Sequence, residues 1–288
     1  MYQPRRFAQL VCNGGGNVGD DIQTLAANQH LPSIDDSIDR DEVHLRAAGA
    51  PRTALIMNGW FSGDPNGWPP SPSIHPIFVG FHAIESFRPV LRRHIDYLRR
   101  FAPIGCRDQG TAEFLRKEGV DAETTYCLTL TFPTREPIDG GKVFLVDAQE
   151  ISIPKALAKN AVKVTHRIAP VGHEGSMAYA QKLLDLYRGE AKLVVTTRLH
   201  AALPCIAMGI PVVYFGSDAD ERTSIIRDVG SPIYDRLMHR KSAARGAVGK
   251  LLNTVDWEPA PLDVSAVKLS LANAVADRIA AYRDSSET

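Results

Sequence analysis

Short apolar runs rich in β-branched residues alternate along this chain with longer stretches in which apolar positions return every three or four residues. These are the periodicities of buried strands and amphipathic helices. In the first half the apolar runs are Phe7 to Cys12, Thr53 to Trp60, Ile77 to His82, Ile104 to Arg107 and Glu123 to Cys127. Between them the spacing predicts helices over Asp20 to Gln29, Ser86 to Phe101 and Gln109 to Glu118. Leu91, Ile95 and Leu98 give the middle helix its apolar stripe, and Gly119 stops the last one. The pattern then breaks over Phe132 to Lys142, where two prolines, two adjacent glycines and several charges read as a linker.

Beyond the linker the alternation restarts. Strands are predicted over Lys142 to Asp147, Ala161 to Thr165, Lys192 to Thr197 and Ile210 to Phe215, with helices over Ser176 to Tyr187, Arg198 to Met208 and Ala219 to Val229. Val267, Leu271, Val275 and Ile279, at steps of four, mark a terminal amphipathic helix over Val264 to Tyr282. Such alternation belongs to βα units on a largely parallel sheet. It predicts an α/β protein of two Rossmann-like domains, residues 1–135 and 136–288, with the terminal helix counted in the second and the facing loops forming an anion site. The Pro/Ser-rich tract Pro65 to Pro76 reads as a loop, either an ordinary surface loop or one folded over that site.

Composition narrows the functional classes. Lysine plus arginine equal aspartate plus glutamate at 33 each, so no net field draws the chain to nucleic acid or to an anionic membrane, and any anion affinity must be local. Cys12, Cys106, Cys127 and Cys205 lie far apart, without the close pairs of a zinc site or the density of a disulfide scaffold, which fits a reduced, cytoplasmic compartment. The apolar stretch behind Met1 to Arg6 stops at Cys12, too soon for a signal peptide, and no apolar run approaches the ~20 residues of a membrane span. No cluster of His, Cys or carboxylates has metal-ligand spacing, so neither a metal nor a cofactor is expected.

Three segments carry candidate chemistry. Asn13-Gly14-Gly15-Gly16-Asn17-Val18-Gly19-Asp20-Asp21 follows the first strand and opens a helix. Gly15, Gly16 and Asn17 would let backbone N–H groups approach an anion, although the segment also reads as a tight turn with Asp20 as helix cap. The spacing matches neither the dinucleotide fingerprint nor the P-loop. In the second segment, a strand delivers Arg107 into the turn before a helix; there it can pair with a phosphate or carboxylate, or serve in a structural ion pair. In the third, a buried strand ends in Thr196 and Thr197, and the next helix opens with Arg198 and His200, so a cation, an imidazole and a helix dipole converge.

In order along nearly the whole chain, GGGNVGDD, the Ile56 to Phe61 strand, Pro103 to Thr111, Cys127 to Thr131 and the Thr197-Arg198-Leu199-His200 to Pro211 block resemble the polysaccharide pyruvyl transferase family. The Arg-Leu-His block with its trailing Gly-Ile-Pro is the most specific part. The resemblance implies a fold similar to the two-domain glycosyltransferase B type. It also implies transfer of a pyruvyl group from phosphoenolpyruvate to a saccharide acceptor, giving a cyclic ketal, with Arg107, Arg198 and His200 holding the donor. Many members carry a lysine shortly after the Gly-x-Pro; here the nearest cation is Arg222.

Ketal formation of this kind needs anion ligands, an acid and a base. Arg107, Arg198 and Arg222 would neutralise phosphate and carboxylate, His200 would act as acid or phosphate ligand, and Asp20 and Asp21, or His82 and Glu85, are candidates to activate the sugar hydroxyls. Two alternatives stand beside this: a nucleotide-sugar glycosyltransferase on the same fold, and a non-catalytic saccharide- or anion-binding protein.

Overall fold

A computed structural model describes residues 5–12, 16–61, 64, 66–217, 220–240 and 252–285. The chain divides into two compact units: Met1–Gly15, Gln23–Thr131 and Val267–Thr288 form one, and Gly16–Ile22 with Phe132–Ala266 form the other.

The first unit contains strands β1 (Arg6–Val11), β2 (Asp36–Asp39), β3 (Thr53–Ile56), β4 (Gly59–Trp60), β5 (Ile74–Ile77), β6 (Phe81–His82), β7 (Ile104–Cys106) and β8 (Ala122–Thr124). They pair in parallel in two four-stranded sheets, ordered β2-β1-β3-β5 and β4-β6-β7-β8. Only residues 57–58 separate β3 from β4 and residues 78–80 separate β5 from β6. Met57 N bonds Ile77 O, Gly59 N bonds Gly80 O and Gly105 N bonds Phe78 O, so the ladder runs on across the breaks. The expected single strand over Ile77 to His82 is therefore two short strands, the first beginning earlier, at Ile74.

Helix α1 (Val18–Asn28) starts in the other unit and ends in this one, and α2 (Arg88–Arg93), α3 (Ile95–Arg100) and α4 (Gln109–Lys117) follow. The predicted helix over Ser86 to Phe101 is interrupted at His94, whose backbone (φ −120°, ψ 30°) is not helical. From residue 67 to residue 76 the Pro/Ser-rich tract is anchored in the core. Trp68 is buried among Phe61, Phe78, Phe81 and Phe87, and the tract runs into β5, so the reading of it as an ordinary surface loop is corrected. Burying an indole of this size contributes on the order of 2 kcal/mol and outweighs the turn-forming composition around it.

The second unit holds β9 (Lys142–Val146), β10 (Val162–Val164), β11 (Ala191–Thr196), β12 (Val212–Gly216) and β13 (Ile233–Asp235), with α5 (Lys155–Ala158), α6 (Gly172–Glu190), α7 (Leu199–Ala207) and α8 (Ser224–Asp228). Its single parallel sheet is ordered β10-β9-β11-β12-β13. The three central strands are buried along nearly their whole length, as expected where helices cover both faces of a parallel sheet. The strand order reverses between β9 and β11, and in open sheets of this kind ligands collect at that switch point, beyond the carboxyl ends of the strands.

The terminal helix, α9 (Ser265–Asp284), corrects the expected domain assignment: from Val267 onward it belongs to the first unit. Tyr282 packs edge-on against Phe7 and its hydroxyl donates to Arg6 O and Arg52 O, while Arg278 pairs with Glu123. Its apolar step of four was legible, but the step does not say which sheet receives it.

Candidate functional site

The switch point of the second unit is built around Asp147, the residue that follows β9. Its backbone lies in the left-handed region (φ +49°), which aspartate tolerates better than most side chains. Its carboxylate accepts from Thr165 Oγ1 at 2.7 Å, from His166 N at 3.1 Å and from Arg198 Nε at 2.6 Å. Its carbonyl accepts from Thr197 Oγ1 at 3.0 Å. Burial pushes the Asp147 carboxyl up, but the bonds from Thr165, Arg198 and His166 outweigh it and hold the group below the usual carboxylate range. It is therefore an anion at neutral pH.

Arg198 occupies the cap position of α7 in extended backbone, its N–H donating to Thr196 Oγ1 at 2.9 Å. Asp147 takes its Nε, and among the described residues its guanidinium has no other acceptor. The side chain is 26% exposed. His200, half-buried, follows in a first turn whose backbone is not fully helical (φ −85°, ψ 16°).

The start of α1 belongs to this same unit. Val18 N donates to His166 O at 2.9 Å, Ile168 N donates to Gly16 O at 2.9 Å, and Asn17 bridges to Arg167. Gly16 has φ +53°, and a Cβ there would lie 2.6 Å from Ile168 O. At Gly19 a Cβ would lie 3.3 Å from both Cβ and Nδ1 of His200, so a glycine is what lets the first turn of α1 press against that of α7. Asn17, not Asp20, caps α1: its Oδ1 accepts from Gly19 N at 3.3 Å. Asn13, Gly14 and Gly15 lie outside the described residues.

The two acidic candidates separate. Asp21 is buried and accepts from Ser176 Oγ at 2.5 Å; burial, against the bond from Ser176, raises its carboxyl above the usual range, and Asp20 adds to the rise. Asp20 remains half-exposed. Arg222 departs from expectation. Its Nε and one terminal amino group are both spent on Asp220, its side chain is 64% exposed, and the pair is a surface arrangement usually worth under ~1 kcal/mol. Asp218 and Ala219, just before it, lie outside the described residues.

The remaining candidates sit in the first unit. Arg107 is buried at the end of β7, its N–H bonded to Phe81 O and its charge beside Asp108 and Cys127. Asp108 caps α4 through Thr111 N at 2.8 Å and pairs with His82 Nδ1 at 2.6 Å, both side chains being 1% exposed. Burial favours the neutral acid, yet the bonds from His82 and Thr111 and the charge of Arg107 leave Asp108 below the usual range. His82 is thus engaged in a buried pair, and Glu85 lies exposed in a short 3-10 turn. Among the described residues no group of His, Cys, Asp and Glu could hold a metal ion, and no helix is long and apolar enough to cross a membrane.

Sequence reasoning passed over Asp147, Thr165 and His166. One signal for Asp147 was present: it closes a predicted strand, where switch-point ligands gather. Its contact with Arg198, 51 residues away, is written only in the fold.

Parallel sheets with helices between their strands define an α/β protein of Rossmann-like construction, and a guanidinium, an imidazole and two helix starts meet at the switch point of its second unit. Residues 17–219 match the polysaccharide pyruvyl transferase family, and the chain belongs to it. That span includes Arg107, Arg198 and His200 and excludes Arg222. No curated protein matches. Among solved structures, a functional uncharacterized protein from Klebsiella pneumoniae subsp. pneumoniae is similar at 14% identity and a TM-score of 0.47, over 78% of this chain and 88% of that one. Likeness at that level carries no argument.

Proposed function

We propose that the protein transfers the pyruvyl group of phosphoenolpyruvate to two hydroxyls of a saccharide, forming a cyclic ketal. The observation that carries the reading is Arg198: a cation at a helix start, fixed through Nε, with its terminal amino groups turned to no acceptor among the described residues. An arginine fork matches a phosphate or carboxylate in two parallel bonds. His200 in the same turn supplies an imidazole, and the first turns of α1 and α7 add N–H groups and the positive ends of helix dipoles.

In the proposed reaction a proton reaches the methylene carbon of the donor, which becomes a methyl group. One sugar hydroxyl adds to the adjacent carbon, phosphate leaves with its bridging oxygen, and the second hydroxyl closes the ring. The two hydroxyl protons end on the methyl group and on phosphate, so no redox partner or external acid is consumed. Arg198 neutralises the anionic donor, His200 is the candidate proton donor, and half-exposed Asp20 is better placed than buried Asp21 to take a hydroxyl proton. Arg222, held by Asp220, is left out of the proposed donor site. A resemblance to the glycosyltransferase B type and a cytoplasmic location, with its reduced thiols, belong to the same proposal.

Phosphoenolpyruvate, incubated with the protein and a panel of glycosides, should release inorganic phosphate only when a suitable diol is present, and should itself raise the melting temperature. Protection by a nucleotide sugar without phosphate release would instead make the protein a glycosyltransferase. Binding of phosphoenolpyruvate without turnover on any glycoside would make it a binding protein.

A further inference from the structure

We infer that Asp147 is the residue that positions Arg198, locking the plane of its guanidinium so that the terminal amino groups meet the anion in a fixed orientation. The inference rests on the donor reading above. A carboxylate that gripped both terminal nitrogens would consume the fork; Asp147 grips Nε alone, at 2.6 Å, and leaves the fork open. Holding Nε restrains the last rotations of a long side chain before ligand arrives, and preorganisation of this kind lowers the ordering cost of binding.

The support for Asp147 is itself built in. Its amide donates to Val164 O, its carbonyl takes the Thr197 hydroxyl, and its carboxylate takes Thr165 and His166, so residues of β10 and of the β10, β11 and α7 junctions all converge on it. His166 then carries the arrangement onward by accepting Val18 N at the start of α1. The left-handed backbone at Asp147 is a second mark, since strained conformations persist where the surrounding structure over-determines them. An ordinary exposed ion pair has none of this scaffolding.

Asp147→Asn tests the role, because asparagine tolerates the same backbone region and keeps an acceptor while losing the charge. The expected result is a rise in the KM for phosphoenolpyruvate of about tenfold, with kcat changed less, in a protein whose melting temperature stays near the wild-type value. In an Arg198→Lys background, which has no Nε to hold, the same substitution should add less than about twofold. Thr165→Val, which removes one support of the carboxylate, should move KM the same way by a smaller factor. Equal KM effects of Asp147→Asn in both backgrounds would overturn the inference, as would unchanged KM in both Asp147→Asn and Thr165→Val. Failure of the wild-type protein to bind phosphoenolpyruvate would overturn the donor reading and this inference together; wild-type binding with additive losses would overturn this inference alone.

Discussion

Gly19→Ala should cost activity while leaving stability nearly unchanged. The added Cβ would stand 3.3 Å from Cβ and Nδ1 of His200 and from Asn17 Oδ1, tighter than ordinary van der Waals contact, so the neighbours must yield by a few tenths of an ångström. Gly19 lies within α1 and has no positive φ, so alanine brings no backbone strain and gains up to ~1 kcal/mol of helix propensity. The crowding, of similar size, offsets that gain. His200 carries the geometric consequence: a displacement near 1 Å typically costs about a hundredfold in rate, and a few tenths should cost roughly three- to tenfold. The assay is phosphate release from phosphoenolpyruvate with an accepting glycoside, read as kcat/KM, alongside a thermal melt. Gly16→Ala is the contrasting control. Its φ of +53° and the 2.6 Å approach to Ile168 O predict a stability loss on the order of 1–3 kcal/mol. Wild-type kcat/KM in a Gly19→Ala protein of unchanged stability would refute the argument that the close packing of α1 on His200 serves the reaction.

Arg198→Ala should weaken phosphoenolpyruvate binding at least tenfold, corresponding to about 1.5–3 kcal/mol for a lost charge-assisted contact, as measured by calorimetry on the folded variant. Arg222→Ala, by contrast, should leave donor affinity and turnover at wild-type values, because that side chain is exposed and already paired with Asp220; a tenfold loss would restore it to the site. Stability should fall as pH drops from about 6.5 toward 4. Burial lowers the pKa of His166 to about 4, so the folded state resists a proton that the unfolded chain accepts below its ordinary value of 6.5. The stabilisation is complete above pH 6.5, and on the order of 2 kcal/mol of it is lost by pH 5. Urea midpoints across that range would read the slope, and His166→Gln should flatten its share, leaving the contribution of His75, which burial also lowers to about 4.

The apolar pattern located the central strands because these are buried on both faces, and burial writes itself into sequence as uninterrupted β-branched runs. It missed two of the edge strands. β2, reading Asp-Ser-Ile-Asp, and β13, reading Ile-Tyr-Asp, take their places through backbone bonds to a neighbour, and one solvated side leaves little apolar signature. Arg198 and His200 stood out as candidates because their residue types and their position after a buried strand are local facts. The buried state of Asp21 was not legible, since it depends on which neighbour arrives through space, whereas Arg222 and Asp220 stand two residues apart and their pairing is a local possibility.

Sequence by itself determined the two runs of βα alternation, the glycine-opened helix and the placing of a cation and an imidazole at one helix start, all set by propensity and periodicity over a few residues. Only the tertiary structure decided that α9 returns to the first unit, that residues 16–22 join the second, and that Asp147 grips Arg198 from across the switch point. Those three facts join residues far apart in the chain. Their energy comes from apolar area buried and charges paired between distant segments, and local spacing carries no record of which distant segment will be met.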